Sequence, residues 1–128
     1  MNTLDYSLQR GEVWERLVVI KDRRTRRVRT PVQVAASIDI NGTAYYLPSA
    51  VTAEGAVLLA LSPQETKWLT DGTYTWDMVA TISRSQAFTS TPLSEEVVLT
   101  GTITVSSYAN ITPMEVDDLA PVALTPVA

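Results

Sequence analysis

The 128-residue chain has no cysteine and no histidine. The first absence excludes disulfides, thiolate nucleophiles and cysteine-held metals. The second removes the commonest general base, metal ligand and near-neutral proton switch. No hydrophobic run comes near the roughly 20 residues of a membrane-spanning helix, and the opening MNTLDYSLQRGEVWER lacks a basic-then-apolar signal region. Synthesis in the cytosol and no membrane partner are therefore expected. Adjacent carboxylates do occur, as Glu95-Glu96 and Asp117-Asp118. Neighbours on a strand point to opposite faces, however, and neither pair sits in a calcium-loop pattern. The sequence thus offers no catalytic, cofactor-binding or metal-binding residue, and a non-enzymatic protein without a small-molecule substrate is expected.

What is present is the grammar of a β-sandwich. With 45% hydrophobic residues, the chain is long enough to bury roughly two-thirds of its unfolded surface around one core. The stretch from Val57 to Thr81 is the most explicit. Val57-Leu58-Leu59-Ala60-Leu61 is a short apolar run suited to a buried strand. Ser62, Pro63 and Glu65 then form Ser-x-x-Glu with proline at the first helical position, a reciprocal cap for a helical turn or two. Asp71-Gly72 is expected to end that helix through a left-handed glycine. From Thr73 the period becomes two, with Tyr74, Trp76, Met78, Ala80 and Ile82 on one face.

Further strands are expected on either side. Trp14 to Asp22 reads as one. A second opens at Val32, with Val34, Ala36, Ile38 and Ile40 inward, and ends at Asn41-Gly42, the strongest short hairpin signal. That turn pairs Ile40 with Thr43, Ile38 with Tyr45 and Ala36 with Leu47, placing Tyr45 inward and Tyr46 outward. A closing strand carries Val97, Leu99, Ile103 and Val105 on one face, with Gly101 admitting a bulge or the close approach of another side chain. The expectation is all-β: an immunoglobulin-like antiparallel β-sandwich of about seven strands with one short helical turn, over residues 1–108.

Charge is unevenly spread. Net charge is −4, yet eight of the ten basic residues lie between Arg10 and Arg29, and after Thr30 ten acidic residues face only Lys67 and Arg84. Arg23, Arg24, Arg26, Arg27 and Arg29 fall within seven residues, as an exposed turn. Guanidinium forks suit phosphates or carboxylates. A solvated loop, a site for an acidic protein partner and a nucleic-acid contact are the three readings. The last is the least favoured, because no aromatic is interleaved and the acidic remainder repels a polyanion.

Residues 109–128 differ in character. Pro113, Pro121 and Pro126 forbid a helix, while Val116, Leu119, Val122, Leu124 and Val127 are many for a solvated linker. The segment is either a frayed tail or an extended C-terminal arm that adds as a strand to a neighbouring subunit. On the second reading Glu115, Asp117 and Asp118 complement the arginine run of another copy. Trp14, Trp68 and Trp76 are read as core packing, the alternative being a carbohydrate-stacking platform.

Tyr6-Ser7-Leu8-Gln9-Arg10-Gly11-Glu12, the strand from Val18 to Ile20, Pro31-Val32, Leu59-Ala60-Leu61-Ser62-Pro63, Gly72-x-Tyr74-x-Trp76-Asp77 and Gly101-Thr102 together resemble a family of small bacteriophage structural proteins. The type is the N-terminal domain of phage baseplate upper proteins, and the resemblance spans roughly Asp5 to Val105. It implies a virion subunit of a tail, baseplate, neck or fibre-attachment ring, made in the host cytoplasm. Its implied partners are other copies of itself and neighbouring virion proteins, and no catalytic residue carries over. Capsid decoration and a host-polysaccharide-binding module are the alternatives.

Overall fold

The computed structural model describes residues 2–22, 24–84, 93–107 and 120–127. In chain order the strands are β1 (Asn2–Thr3), β2 (Tyr6–Gln9), β3 (Trp14–Val18), β4 (Gln33–Ile40), β5 (Thr43–Tyr46), β6 (Ser49–Val51) and β7 (Val57–Leu61). The single helix among the described residues, α1 (Pro63–Trp68), follows, and then β8 (Gly72–Arg84) and β9 (Leu93–Ser106). β1 and β2 run along the same edge of β9 with a break at Leu4 and Asp5, so the nine segments make eight strands where about seven were expected.

Alternation of apolar and polar residues builds two sheets. The larger has the order β1/β2, β9, β8, β4, β5, and the smaller β3, β7, β6. Labelled by the immunoglobulin convention, these are an A′GFCC′ sheet facing a BED sheet, with the first strand parallel to the last. The all-β sandwich is therefore as the residue pattern requires. The core lies between the sheets, where β8 contributes Trp76, Met78, Ala80 and Ile82, β4 Ala36 and Ile38, and β9 Leu99, Ile103 and Val105. Val57, Leu59 and Leu61 of β7 close it from the other side. Hydrophobic area is the main term joining the layers, with the Trp14 indole N–H of β3 donating across to the Ser7 carbonyl of β2 at 3.2 Å.

The Asn41-Gly42 turn has φ of 52° and 86°, both positive as a two-residue type I′ hairpin requires. It sets the expected register, Ile40 opposite Thr43 and Ile38 opposite Tyr45. Leu47 continues it by donating its N–H to the Ala36 carbonyl. The cap of α1 is also as read: Glu65 N–H donates to Ser62 Oγ and Ser62 N–H to Glu65 Oε1. The helix exit is not. α1 ends at Leu69, whose backbone is extended at φ −67° and ψ 144°, three residues before Gly72. Leu69 is drawn into the core, which the helical path would not allow, and Gly72 at φ 152° serves to open β8 instead.

The carbonyl left at that exit is taken by a distant side chain. Arg10 Nη2 donates to the Lys67 carbonyl at 2.9 Å. Beside it, the buried Thr66 hydroxyl accepts from Gly11 N–H and donates to the Glu12 carbonyl. Gly11, at φ 83°, makes this turn possible. The Arg-Gly pair thus fastens the lead-in of β3 to α1.

Gly101 admits the close approach expected of it, and two groups use the space: a Cβ there would collide with the Leu4 carbonyl oxygen and crowd the Trp76 indole nitrogen, at 2.9 Å. That same carbonyl accepts the indole N–H of Trp76 at 2.9 Å. The expected strand from Trp14 to Asp22 also stops early, at Val18, because the chain turns back on itself: Arg29 N–H donates to the Ile20 carbonyl and Lys21 bridges Val28.

Two substitutions test these contacts. Gly101→Ala should lower unfolding stability by roughly 1–3 kcal/mol through overpacking against backbone, and Thr66→Val by about 1–3 kcal/mol through loss of the two hydrogen bonds that the buried hydroxyl makes with Gly11 N–H and the Glu12 carbonyl. Urea denaturation midpoints of the wild type and both variants measure this. A change within about 0.5 kcal/mol for either, the usual range for an uninvolved surface site, would refute the corresponding contact.

Candidate functional site

The arginine run folds as a β-hairpin whose backbone is held by Asp22. Its Oδ1 accepts from Arg24 N–H at 2.8 Å and Thr25 N–H at 2.9 Å. Asp22 N–H donates to the Arg27 carbonyl, and Arg26 N–H to the Asp22 carbonyl. Arg26 closes the turn at φ 61°, a left-handed conformation that costs a non-glycine residue energy and is sustained by these surrounding bonds. The backbone amides of Thr25 and then Arg24 hold the Asp22 carboxyl below its ordinary pKa, as they favour the charged acceptor.

The guanidinium groups divide into two sets. Arg24, Arg26 and Arg27 are exposed, and among the described residues none of them forms an ion pair. Arg29 points back to the sandwich and pairs with Glu95 at the start of β9, at 3.0 Å. This pair ties the hairpin to β9, and partly exposed as it is, it is worth about 1 kcal/mol at most. Arg23 lies outside the described residues. The cationic surface is therefore three arginines on a fixed turn. Glu95, singled out in the sequence only to dismiss it as half of a catalytic pair, turns out to be the anchor.

The C-terminal segment is the second feature. Glu115, Val116, Asp117, Asp118 and Leu119 lie outside the described residues, and with them the expected acidic complement of the arginine run. Residues 125–127 lie along the outer edge of β5 of their own chain. Tyr46 N–H donates to the Thr125 carbonyl at 2.7 Å, and Val127 N–H to the Ala44 carbonyl at 2.9 Å. Pro126 sits opposite Tyr45. Val122 N–H donates to the Gln64 carbonyl on α1 at 3.1 Å, its side chain half exposed. Leu124 is buried in the core cluster against which Tyr45 and Trp68 also pack. Burial of such a side chain contributes roughly 1.5–3 kcal/mol. Of the arm residues expected to bind a partner, Val122 and Leu124 contact their own chain here, Val122 through its backbone N–H alone and Leu124 through its buried side chain. The acceptors, Gln64 and the β5 backbone, carried no sequence signal, since a free strand edge is a property of the sheet and not of its side chains.

A third feature went unnoticed in the sequence. The outer face of the larger sheet forms a polar depression of about 410 Å³ bordered by Asp5, Asp39, Asp77, Thr75, Thr100 and Thr102. Each carboxylate already accepts a hydrogen bond: Asp5 from Thr102, Asp39 from Gly42 N–H and Asp77 from Ser37. The outward members of the alternating strands carry the signal that was there to be read. None of the three indoles is presented as a stacking platform. Trp14 and Trp76 are buried, and Trp68 stands edge-on to Tyr45 with ring centroids 5.3 Å apart.

Compared with protein-family models, curated proteins and solved structures, the chain has no match in any of the three.

The Asp22 cap has a signed pH dependence. A carboxyl depressed on folding stabilises its turn above the ordinary value of 3.8, and that contribution is lost as pH falls through the lower folded value. Carbon-detected titration of the Asp22 carboxyl should give a midpoint below 3.8. A midpoint at or above it would show that the amides of Arg24 and Thr25 do not hold the carboxylate.

Proposed function

We propose that this chain is a non-enzymatic structural subunit of a bacteriophage virion, used in repeated copies in a tail, baseplate, neck or fibre-attachment ring. Its partners are further copies of itself and neighbouring virion proteins. The observation that carries the reading is the rigid display of Arg24, Arg26 and Arg27 on a turn fixed by Asp22. Among the described residues no carboxylate pairs with these three arginines, so a partner can take them up without first breaking an ion pair, and the held backbone lowers the cost of ordering the loop. The resemblance of residues 5–105 to the phage domain, and a fold whose two chain ends both serve as edge strands, support the same reading.

An acidic protein surface fits the arginine turn better than nucleic acid. The remainder of the chain is strongly acidic, and a polyanion approaching the turn would meet Glu96, exposed opposite Thr81 on the adjoining sheet. Carboxylates of a neighbouring subunit can be placed where only the arginines meet them, and bidentate geometry then sets orientation.

Arg26→Glu with Arg27→Glu should weaken assembly into the particle, and raising salt should weaken wild-type assembly in the same direction. Sedimentation of assembly intermediates measures both effects, and a reconstruction of the particle locates the subunit. Wild-type assembly by the double variant would overturn the arginine contact. Retained binding to host polysaccharide on a glycan array, with the protein exposed at a distal tip, would favour the recognition module.

A further inference from the structure

We infer that the edge of β5 together with α1 is a strand-accepting socket, and that in assembly it receives residues 120–127 of a second copy of this chain. The inference rests on the repeated-subunit reading above and names the contact by which copies are joined. The socket has three parts. The β5 backbone offers Ala44 and Tyr46 for main-chain hydrogen bonds, the Gln64 carbonyl takes Val122 N–H, and the core receives the Leu124 side chain. Main-chain pairing provides affinity and the leucine provides register, because a one-residue slip would turn Leu124 to solvent and present Thr125 to the core.

Three features allow exchange between copies. Among the described residues, the segment's hydrogen bonds and core contact are made by residues 122–127, so the socket can take that short piece from either copy. Thirteen residues, 107–119, separate it from the end of β9, a covalent reach of at most roughly 50 Å. Exchange of an identical element then keeps every contact while joining two copies. Finally, the segment stops further growth. Thr125 and Val127 turn their backbone toward β5, so Pro126 occupies the position whose amide would face outward, and it has none to offer. One socket therefore takes one arm, which suits a closed ring or a reciprocal pair and disfavours an open stack of strands.

The absence of cysteine makes the test direct. Val127 and Ala44 are exposed and joined by a main-chain hydrogen bond, a spacing at which paired cysteines can bridge. Full-length Ala44→Cys and Val127→Cys copies are unfolded together, refolded as a mixture, oxidised and run on a non-reducing gel. The expected result is a cross-linked heterodimer about tenfold or more above a control mixture of Val127→Cys with Thr104→Cys, which reports collision alone. Adding Leu124→Asp to the Val127→Cys copy should return the yield to the control level. If the mixture stays at control at the highest soluble concentration while the Ala44→Cys, Val127→Cys double variant closes within one chain, the segment belongs to its own copy and exchange is overturned. The virion reading would survive that outcome, since locating the subunit in the particle tests it separately.

Discussion

An open β-sheet has two edges, each a row of unpaired amides and carbonyls, and the larger sheet of this sandwich must satisfy both. It does so with the two ends of the chain. Residues 2–9 cover β9 in parallel, and residues 125–127 cover β5. Each cover depends on one position. At β9 it is Gly101, whose missing Cβ leaves room for the Leu4 carbonyl and through it for the Trp76 indole. At β5 it is Leu124, which couples the outermost strand to the core.

The two edges are mechanically connected. β2 runs into Arg10 and Gly11, which hold the exit and the Thr66 hydroxyl of α1, and α1 in turn presents the Gln64 carbonyl to the C-terminal segment. A six-residue helix is too short to be stable by itself. It persists because it is capped at Ser62, pinned at Thr66 and closed at Lys67 by Arg10.

The two candidate contact features sit toward opposite ends of β4. The arginine hairpin leads into its first residue, next to Thr81 and Glu95, whereas the C-terminal segment runs along β5 toward the Asn41-Gly42 turn. The net charge of −4 conceals this arrangement, since the basic residues of one hairpin are outweighed by carboxylates dispersed over the sheets.

Much of the fold was legible because it depends on local rules. Alternation identified the inward faces of β4, β8 and β9, Asn41-Gly42 fixed a register residue by residue, and Ser62 with Glu65 marked the start of α1. The arginine turn was legible as exposed because five like charges cannot be buried together. Where local rules compete with packing, reading failed: Leu69 left the helix early for the core, and Glu95 proved to be an anchor, because its partner lies 66 residues away in sequence. The sequence by itself determined a two-layer β protein with a cationic turn and an apolar, proline-punctuated end, since periodicity, turn chemistry and charge are carried by each residue and its neighbours. Only the tertiary structure decided which carbonyl Gly101 accommodates, which arginine turns back to the sandwich and which strand edge receives Leu124, because free edges and sockets exist only once distant strands have been brought together.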